Sequence, residues 1–266
     1  YRPFKLKLQG TCEFPTVSQA PRNVFLTQKR LRPPTAPESY LSKCYINSEG
    51  CFDFGPLLIK KDPEKRATDI AKPNSTFFQI TNNGKYKLDA TFVLRSSLPG
   101  EERLPSDEGI LPDKSPFIMD PEDMSLAVGE TKNLNVYAFP QEAIEYKDQV
   151  IVLIKDNPNP AIFPVQCLGA KPVVTVNQEK IEFERALIDK TNVKTLILTN
   201  TSAIPVHWRL TGCDKLPEEF EVSVQKSEPN KPLKPCGVQE INISFKAITE
   251  KKFNENIVLE VEDVED

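Results

Sequence analysis

The side chains of this chain that could carry out chemistry are few and far apart. The one histidine, His207, directly precedes the one tryptophan, Trp208. Acid–base catalysis by histidine needs a partner group nearby, and a histidine metal centre needs several imidazoles. Neighbouring side chains of a strand point to opposite faces, so the apolar register of Val206 and Leu210 predicts Trp208 in a core and His207 in solvent.

The cysteines do not form a recognisable site. No C-x-x-C pair and no cysteine–histidine cluster occurs, so their spacing predicts no metal centre. Cysteines scattered over a chain of this length favour reduced thiols in an intracellular compartment, although their even number leaves disulfides open. Three N-x-[ST] sequons, at Asn74, Asn200 and Asn242, would by themselves indicate secretion. The cysteines are Cys12, Cys44, Cys51, Cys167, Cys213 and Cys236.

Two charged segments could bind a ligand or a partner. Asp120–Met124 lacks the alternating oxygen ligands and the spaced glutamate of a calcium loop, so we interpret it as a proline-fixed corner. Lys29–Arg32 could meet an acidic surface, but a solvated linker is the simpler interpretation. The sequence contains no glycine-rich phosphate loop and no G-x-S-x-G motif. We therefore predict no catalytic, cofactor-binding or metal-binding residues, and a protein that is not an enzyme.

Composition narrows the class of protein further. Of the 266 residues, 34 are lysine or arginine and 38 are aspartate or glutamate, whereas a protein that binds nucleic acid through phosphates needs a basic surface. No run approaches the ~18 apolar residues of a membrane span, so we predict neither nucleic acid nor a membrane as a partner. The 24 prolines against 10 glycines argue against a helical bundle. This length suits two domains.

The elements that must position these residues are β-strands. Apolar and polar residues alternate in short runs separated by turn residues, a pattern that predicts an all-β sandwich architecture. The clearest runs are Phe4–Gly10, Leu134–Phe139, Val150–Ile154 and Ile241–Phe245. The segment Pro15–Pro37 has five prolines and no such alternation. We interpret it as an extended linker, which could cling to the first domain.

The strand pattern occurs twice along the chain. Phe52–Phe54 matches Ile181–Phe183 at a separation of 129 residues, and Phe78–Asn82 matches Leu196–Asn200 at 118. Further matches at 118 and then 107 pair Leu88, Ala90 and Phe92 with Val206, Trp208 and Leu210; Leu134, Val136 and Ala138 with Ile241, Ile243 and Phe245; and Tyr146, Val150, Val152 and Ile154 with Phe253, Ile257, Leu259 and Val261. The falling separation places two insertions in the first copy, at Lys60–Lys72 and Ser96–Ser115.

The repeat predicts which side chains point inward. The first core is expected to contain Phe54, Phe78, Leu88, Val136 and Val152, and the second Phe183, Leu196, Val206, Trp208, Ile243 and Leu259.

A last match concerns the beginning of the chain. Phe4, Leu6, Leu8 and Gly10 repeat as Phe163, Val165, Cys167 and Gly169, in the run that would close the first copy. We therefore expect residues 1–10 to be the final strand of a preceding copy, free here or swapped between molecules. The second copy is expected to lack its own final strand and to leave an open sheet edge, which residues beyond Asp266 would fill in a longer chain.

These matches give a predicted organisation. Residues 1–15 would be the last strand of a preceding repeat, 16–45 a proline-rich linker, 46–170 a sandwich with two loop insertions, and 171–266 a second sandwich without its final strand. The short joint Gly169–Val173 contains a proline and predicts limited swing between the two sandwiches.

The F-x-F first strand, the strand ending in I/L-T-N and the closing apolar-x-G strand resemble ASH domains, immunoglobulin-like sandwiches related to the major sperm protein fold. The resemblance covers nearly the whole chain and is strongest to ASH domains strung in tandem in proteins of the ciliary central pair. It rests on Cys51–Pro56, Ile144–Asp148 and Pro205–Leu210. The first copy departs from the pattern by having Ala90 where the second has Trp208.

The resemblance implies a structural, non-enzymatic scaffold in the axoneme of a motile cilium, within the reducing cytoplasmic compartment. It implies as partners other central-pair proteins, microtubules and neighbouring ASH-like repeats of the same chain, which would dock on sandwich surfaces and edge strands. An alternative from another class is a secreted or cell-surface adhesion fragment with an immunoglobulin-like fold. Disulfides, or a glycan on Asn74, would favour that alternative.

Overall fold

A computed structural model describes residues 3–32, 43–64, 69–97, 115–224 and 232–262 of the chain. Strands dominate these residues, and none of the helices among them is long and apolar enough to cross a membrane. Short helices are α1 (Pro21–Val24) and 3₁₀ turns at Asp69–Asn74, Arg95–Ser97 and Cys213–Lys215. The strands are β1 (Gln28–Lys29), β2 (Cys44–Ile46), β3 (Cys51–Leu58), β4 (Ser75–Thr81), β5 (Leu88–Leu94), β6 (Phe117–Asp120), β7 (Asp123–Leu126), β8 (Thr131–Ala138), β9 (Glu145–Ile154), β10 (Ala161–Ala170), β11 (Val174–Val176), β12 (Thr191–Asn200), β13 (Trp208–Thr211), β14 (Phe220–Val224), β15 (Val238–Lys246) and β16 (Val258–Val261).

The first ten strands form two sheets that enclose one hydrophobic core, here called the first sandwich. One sheet has the order β1-β2-β3-β10-β9-β5-β7, and the other has the order β4-β8-β6. Alternate residues of β5 and β9 are buried, as period-2 strands with one face on a core require. The predicted inward residues Phe54, Phe78, Leu88, Val136 and Val152 all lie in this core.

The last six strands form a smaller pair of sheets, here called the second sandwich. One sheet has the order β11-β12-β15-β14, and the other contains β13 and β16. The predicted strand Ile241–Phe245 lies within β15, and Leu196 and Ile243 are buried in the core between the sheets. Both sandwiches together give the all-β, immunoglobulin-like fold that the alternation predicts.

Residues 16–32 are not a linker, contrary to the prediction. Val17 bridges to Asn82, and α1 delivers Val24 and Phe25 into the first core, where both are almost completely buried. The Phe25 ring stacks on Tyr45 with centroids 4.4 Å apart and meets Phe78 edge-on at 4.9 Å. β1 then pairs with β2 in parallel, so this part of the predicted linker belongs to the first sandwich.

The matched asparagines at the ends of β4 and β12 have the same local structure in both sandwiches. Asn82 accepts a hydrogen bond from the Gly84 backbone N–H at 2.9 Å, and its amide donates to the carbonyls of Tyr86 and Leu126. Asn200 accepts from the Ser202 backbone N–H at 2.9 Å and donates to Ile204 and Leu233. Each buried side chain therefore closes an Asx turn and ties it to a neighbouring segment.

The second insertion of the first sandwich is tied down at both ends by Asp148. This mostly buried carboxylate accepts hydrogen bonds from the hydroxyls of Ser96 and Ser115, which flank the insertion on either side. Residues 98–114, between them, lie outside the described part of the chain.

Two segments with a strand pattern lie outside any sheet, as expected for the first of them. Residues 3–10 have no strand partner, and Phe4, Leu6 and Leu8 are 94%, 87% and 91% exposed. Ile181–Phe183 is also outside any strand, although Ile181 and Phe183 pack against the second core while Glu182 is exposed. A strand needs a neighbouring backbone to hydrogen-bond, and neither segment has one among the described residues.

Candidate interaction surfaces

The His207–Trp208 pair has the arrangement that the strand alternation predicts. Trp208 packs against the second core, but it is only partly buried. His207 is exposed, and its backbone carbonyl accepts from the Glu262 N–H at 3.0 Å. The two residues therefore differ in exposure, as neighbouring residues of an extended chain do when one face packs on a core.

Asp120–Met124 forms the corner between the two sheets of the first sandwich. The chain leaves β6 in one sheet at Asp120 and enters β7 in the other sheet at Asp123. Asp123 accepts a hydrogen bond from the Thr91 hydroxyl at 2.6 Å. The segment is therefore a connection between sheets, in line with the proline-fixed corner of the sequence interpretation.

The basic segment Lys29–Arg32 is engaged within the first sandwich. Arg32 makes a two-pronged ion pair with Glu49, at 2.9 and 2.8 Å, and a second ion pair with Asp53 at 3.4 Å. The hydrogen bond from Arg32 lowers the pKa of Glu49 and in turn raises that of Arg32. Gln166 of β10 donates to Asp53 at 3.1 Å, which joins this cluster to the centre of the sheet. Arg32 therefore holds the segment after β1 against Glu49 and Asp53 of the first sandwich.

The six cysteines are free thiols. Cys44, Cys51 and Cys167 are buried in the first sandwich, where loss of solvent raises the pKa of Cys51 to about 12 and also raises that of Cys167. Thiols with such pKa values hold their protons at neutral pH and are poor nucleophiles. Within the described ranges, no group of three or more histidine, cysteine, aspartate or glutamate side chains is placed to hold a metal ion.

The sequon asparagines are parts of the fold. Asn74 and Asn200 are fully buried, and Asn74 donates to the Ala138 carbonyl at 2.7 Å. Asn242 lies within β15 and accepts a hydrogen bond from the Thr195 hydroxyl at 2.9 Å. A glycan needs an accessible asparagine amide on a surface segment. Asn74 and Asn200 could carry one only if the surrounding structure opened.

The clearest candidate for an interaction surface is the edge of β16. In the first sandwich, β10 lies between β9 and β3, antiparallel to the former and parallel to the latter. In the second sandwich, β16 is the sequence counterpart of β9 and pairs with β13 alone among the described residues. Ile181–Phe183, the sequence counterpart of β3, is not in a strand.

Apolar side chains of the second sandwich are less covered than their counterparts in the first. In the first sandwich, Phe52, Phe54, Val150 and Val152 are all at most 3% exposed. Their second-sandwich counterparts, Ile181, Phe183, Ile257 and Leu259, are all only partly buried. The covering residues in the first sandwich are Phe163, Val165 and Cys167 of β10, which themselves are buried. The difference in burial therefore coincides with the presence or absence of that one strand.

Sequence reasoning placed an open edge on the second copy, but it did not anticipate that β10 of the first sandwich pairs in parallel with β3. It also gave Arg32 to a solvated linker, because its partners Glu49, in the turn before β3, and Asp53, on β3, lie further along the chain.

Two curated relatives match almost the entire chain. Hydrocephalus-inducing protein of Mus musculus is 27% identical over 264 residues, which is 99% of this chain. The hydrocephalus-inducing protein homolog of Homo sapiens is 26% identical over 262 residues, or 98% of this chain. The chain spans only 5% of the length of each relative. No protein-family model matches it.

Solved structures that match this chain do so at low sequence identity and low TM-score. A protein of unknown function from Porphyromonas gingivalis W83 is 12% identical, with a TM-score of 0.28, over 74% of this chain and 80% of that one. The Pseudomonas aeruginosa CupB2 chaperone is also 12% identical, with a TM-score of 0.28, over 71% of this chain and 84% of that one. Over nearly its whole length this chain, which has an all-β immunoglobulin-like fold, is similar in sequence to hydrocephalus-inducing protein.

Proposed function

We propose that this chain is a structural, non-enzymatic scaffold segment of the central-pair apparatus in the axoneme of a motile cilium. The observation that carries the proposal is the similarity to hydrocephalus-inducing protein over 99% of the chain. In this proposal the two sandwiches are consecutive ASH-like repeats. Their task is to present surfaces and strand edges to partner proteins at fixed spacing along a long chain.

The chemistry of the described residues supports a binding role over catalysis. The one histidine is exposed, whereas Trp208 packs against the second core. The buried thiols of Cys51 and Cys167 have raised pKa values and lie in the first core. Charged clusters such as Arg32, Glu49 and Asp53 are internal ties between elements.

The proposed partners are other central-pair proteins, microtubules and adjacent repeats. For microtubules, whose surfaces are acidic, the basic segment would have to act through Arg30, since Arg32 is already paired. Strand edges offer the better-supported route for protein partners, because β16 has both an unpaired backbone edge among the described residues and a half-covered apolar flank.

The alternative of a secreted adhesion fragment finds no support in the site. All six cysteines are free, and the asparagines of two sequons are fully buried. Cell-surface immunoglobulin-like domains of comparable size commonly rely on a core disulfide.

The test is affinity capture from solubilised axonemes with the purified chain as bait. Extracts of intact cilia and of cilia that lack the central pair are compared side by side, and bound proteins are identified by mass spectrometry. We expect central-pair proteins to be captured from the first extract and lost from the second. Capture of the same set from both extracts, or of no axonemal protein, would contradict the proposal.

A further inference from the structure

We propose that Asn83 is a site of covalent modification: without an enzyme, its side-chain amide is converted to a carboxylate, at a rate that the neighbouring Asn82 holds down. The reaction uses only groups of the loop after β4 and water. It belongs to the first sandwich by itself, so it goes beyond the proposed function and can be tested on the purified chain.

The sequence contains the required pair of residues once. Asn83–Gly84 is the one asparagine–glycine pair among the 266 residues. Because glycine has no side chain, its backbone nitrogen can come close to the side chain of the residue before it, which makes this pair favourable for the reaction. At the matched place in the second sandwich the residues are Thr201 and Ser202, which have no side-chain amide to lose.

The reaction passes through a cyclic imide. The backbone nitrogen of Gly84 attacks Cγ, the side-chain carbonyl carbon of Asn83, and a nitrogen–carbon bond forms. The bond from Cγ to the amide nitrogen breaks, and this nitrogen leaves as ammonia with the proton of the Gly84 N–H. Water then opens the imide ring at either of its carbonyls and gives aspartate or isoaspartate. Water is consumed, ammonia is released, and no oxidant or reductant is needed.

The surroundings of Asn83 favour the attack. Asn83 is exposed, so water and hydroxide reach it, whereas the adjacent Asn82 is fully buried. The Thr16 hydroxyl donates a hydrogen bond to Oδ1 of Asn83 at 3.0 Å. Negative charge develops on this oxygen when the nitrogen adds to Cγ, and a donor already aimed at such an oxygen stabilises the charge. Thr16 therefore lowers the barrier to ring closure.

The same turn restrains the attacking nitrogen. The Gly84 N–H donates to Oδ1 of Asn82 at 2.9 Å, and the nitrogen must lose this proton and turn towards Asn83 before it can attack. Asn82 is itself held in place, because its amide donates to the carbonyls of Tyr86 and Leu126. Asn82 therefore slows a reaction for which the pair that follows it is well suited.

The modification changes the turn that contains it. In isoaspartate the chain runs through the former side chain, which inserts a methylene between Asn82 and Gly84, so the hydrogen bond that closes the Asx turn no longer fits. Two other segments meet at Asn82: Val17 bridges to it, and the Gly129 N–H donates to its carbonyl at 3.0 Å. We therefore expect isoaspartate to weaken the attachment of both segments to the first sandwich.

The first test follows the modification in the folded chain. The purified chain is incubated in neutral and in mildly alkaline buffer, and peptides that contain residue 83 are separated and identified by mass spectrometry. Aspartate and isoaspartate should accumulate there, faster at the higher pH because the Gly84 nitrogen must lose its proton. Asn83→Gln is the control and should stay unmodified, since its longer side chain closes a larger ring far more slowly. No conversion of Asn83 in the folded chain, while the same chain converts in urea, would overturn the proposal.

The second test measures the restraint and the activation. Asn82→Ala removes the acceptor of the Gly84 N–H and should raise the rate in the folded chain about fivefold, the ratio that corresponds to one hydrogen bond of about 1 kcal/mol. Thr16→Val keeps a branched side chain without the donor and should lower the rate. Equal rates in Asn82→Ala and wild type would refute the restraint, and an unchanged rate in Thr16→Val would refute the activation.

A destabilised control separates the loss of restraint from the loss of stability. Val136 is fully buried on β8 in the first core, so Val136→Ala weakens the same sandwich and leaves the turn intact. Under folding conditions it should react at the wild-type rate, and in urea it should react as fast as wild type and Asn82→Ala. If folded Val136→Ala reacts as fast as folded Asn82→Ala, the acceleration comes from unfolding and Asn82 does not restrain the reaction.

Discussion

Replacing Asn200 by alanine should selectively destabilise the second sandwich. Its side chain makes four hydrogen bonds: two from its amide to the Ile204 and Leu233 carbonyls, and two accepted from the N–H and the hydroxyl of Ser202. The residue is fully buried, so water cannot replace these partners. Each such bond contributes about 1 kcal/mol net, and the orphaned carbonyls add to the cost. We expect a loss of about 3–4 kcal/mol in the free energy of unfolding.

The position of the single tryptophan makes this loss measurable for one sandwich at a time. Trp208 packs on the second core, so its fluorescence during urea unfolding reports that sandwich, while far-ultraviolet circular dichroism reports both. At about 4–8 °C per kcal/mol for a domain of this size, the thermal midpoint should fall by more than ~12 °C. Asn192→Ala, an exposed position on the same strand, is the matched control and should change the free energy of unfolding by under about 0.5 kcal/mol.

The counterpart in the first sandwich completes the experiment. Asn82→Ala removes three hydrogen bonds around Gly84, Tyr86 and Leu126, and it should shift the dichroism transition while leaving the Trp208 transition in place. If Asn200→Ala costs no more than Asn192→Ala, the buried asparagine is not a structural tie. If Asn82→Ala moves the Trp208 transition as far as Asn200→Ala does, the sandwiches do not unfold separately.

Three further predictions follow from burial and charge. Alkylation of the native chain, followed by mass spectrometry, should modify the exposed Cys12 and Cys236 first and should leave Cys51 and Cys167 unmodified until urea unfolds the first sandwich. Fast modification of Cys51 would contradict its burial and its pKa of about 12. Arg32 lowers the pKa of Glu49, so this pair stabilises the fold above the unfolded-state pKa of Glu49, and the stabilisation is lost as the pH falls through the lowered folded-state pKa. Arg32→Gln should therefore reduce the free energy of unfolding near pH 7, by under about 1 kcal/mol because the pair is partly in solvent, and it should make the fall of that free energy on acidification less steep. Equal acid sensitivity of the two proteins would count against the ion pair. Trp208→Ala should cost about 2–3 kcal/mol by dichroism-monitored unfolding, less than a fully buried ring would, because the ring is half-covered; a cost below about 0.5 kcal/mol would mean that it does not pack on the core.

The alternation of apolar residues predicted most of the strands because each of these strands has one face on a core. The matched runs at β4 and β12, at β5 and β13, and at β8 and β15 all form strands, and the asparagines at 82 and 200 share one hydrogen-bonding role. A period of two is a local signal, and burial on one face is all that it needs.

The proline-rich segment could not be interpreted in this way. Val17, Val24 and Phe25 are anchors of the first core, but they are separated by turns and a single helical turn, so they have no common period. The Phe25 ring, for example, packs on Tyr45, Phe52 and Phe78, which are remote along the chain. The strand prediction for Ile181–Phe183 is wrong for the opposite reason. Its sequence pattern is that of a strand, but a pattern does not supply the neighbouring backbone that a strand must pair with.

The central place of β10 also determines when the first sandwich can be completed during synthesis. Asp53 and Gln166, which meet across the parallel pair, are 113 residues apart in sequence. During translation, β3 therefore leaves the ribosome long before β10, the strand that pairs with it, has been synthesised. Contacts of such long range close slowly, and the exposed row of Phe52, Phe54 and Leu57 is a site for wrong pairings in the meantime. In a polypeptide with many such repeats, an unpaired β3 strand is best protected from wrong pairing when the following segment is translated quickly or when a chaperone binds the strand.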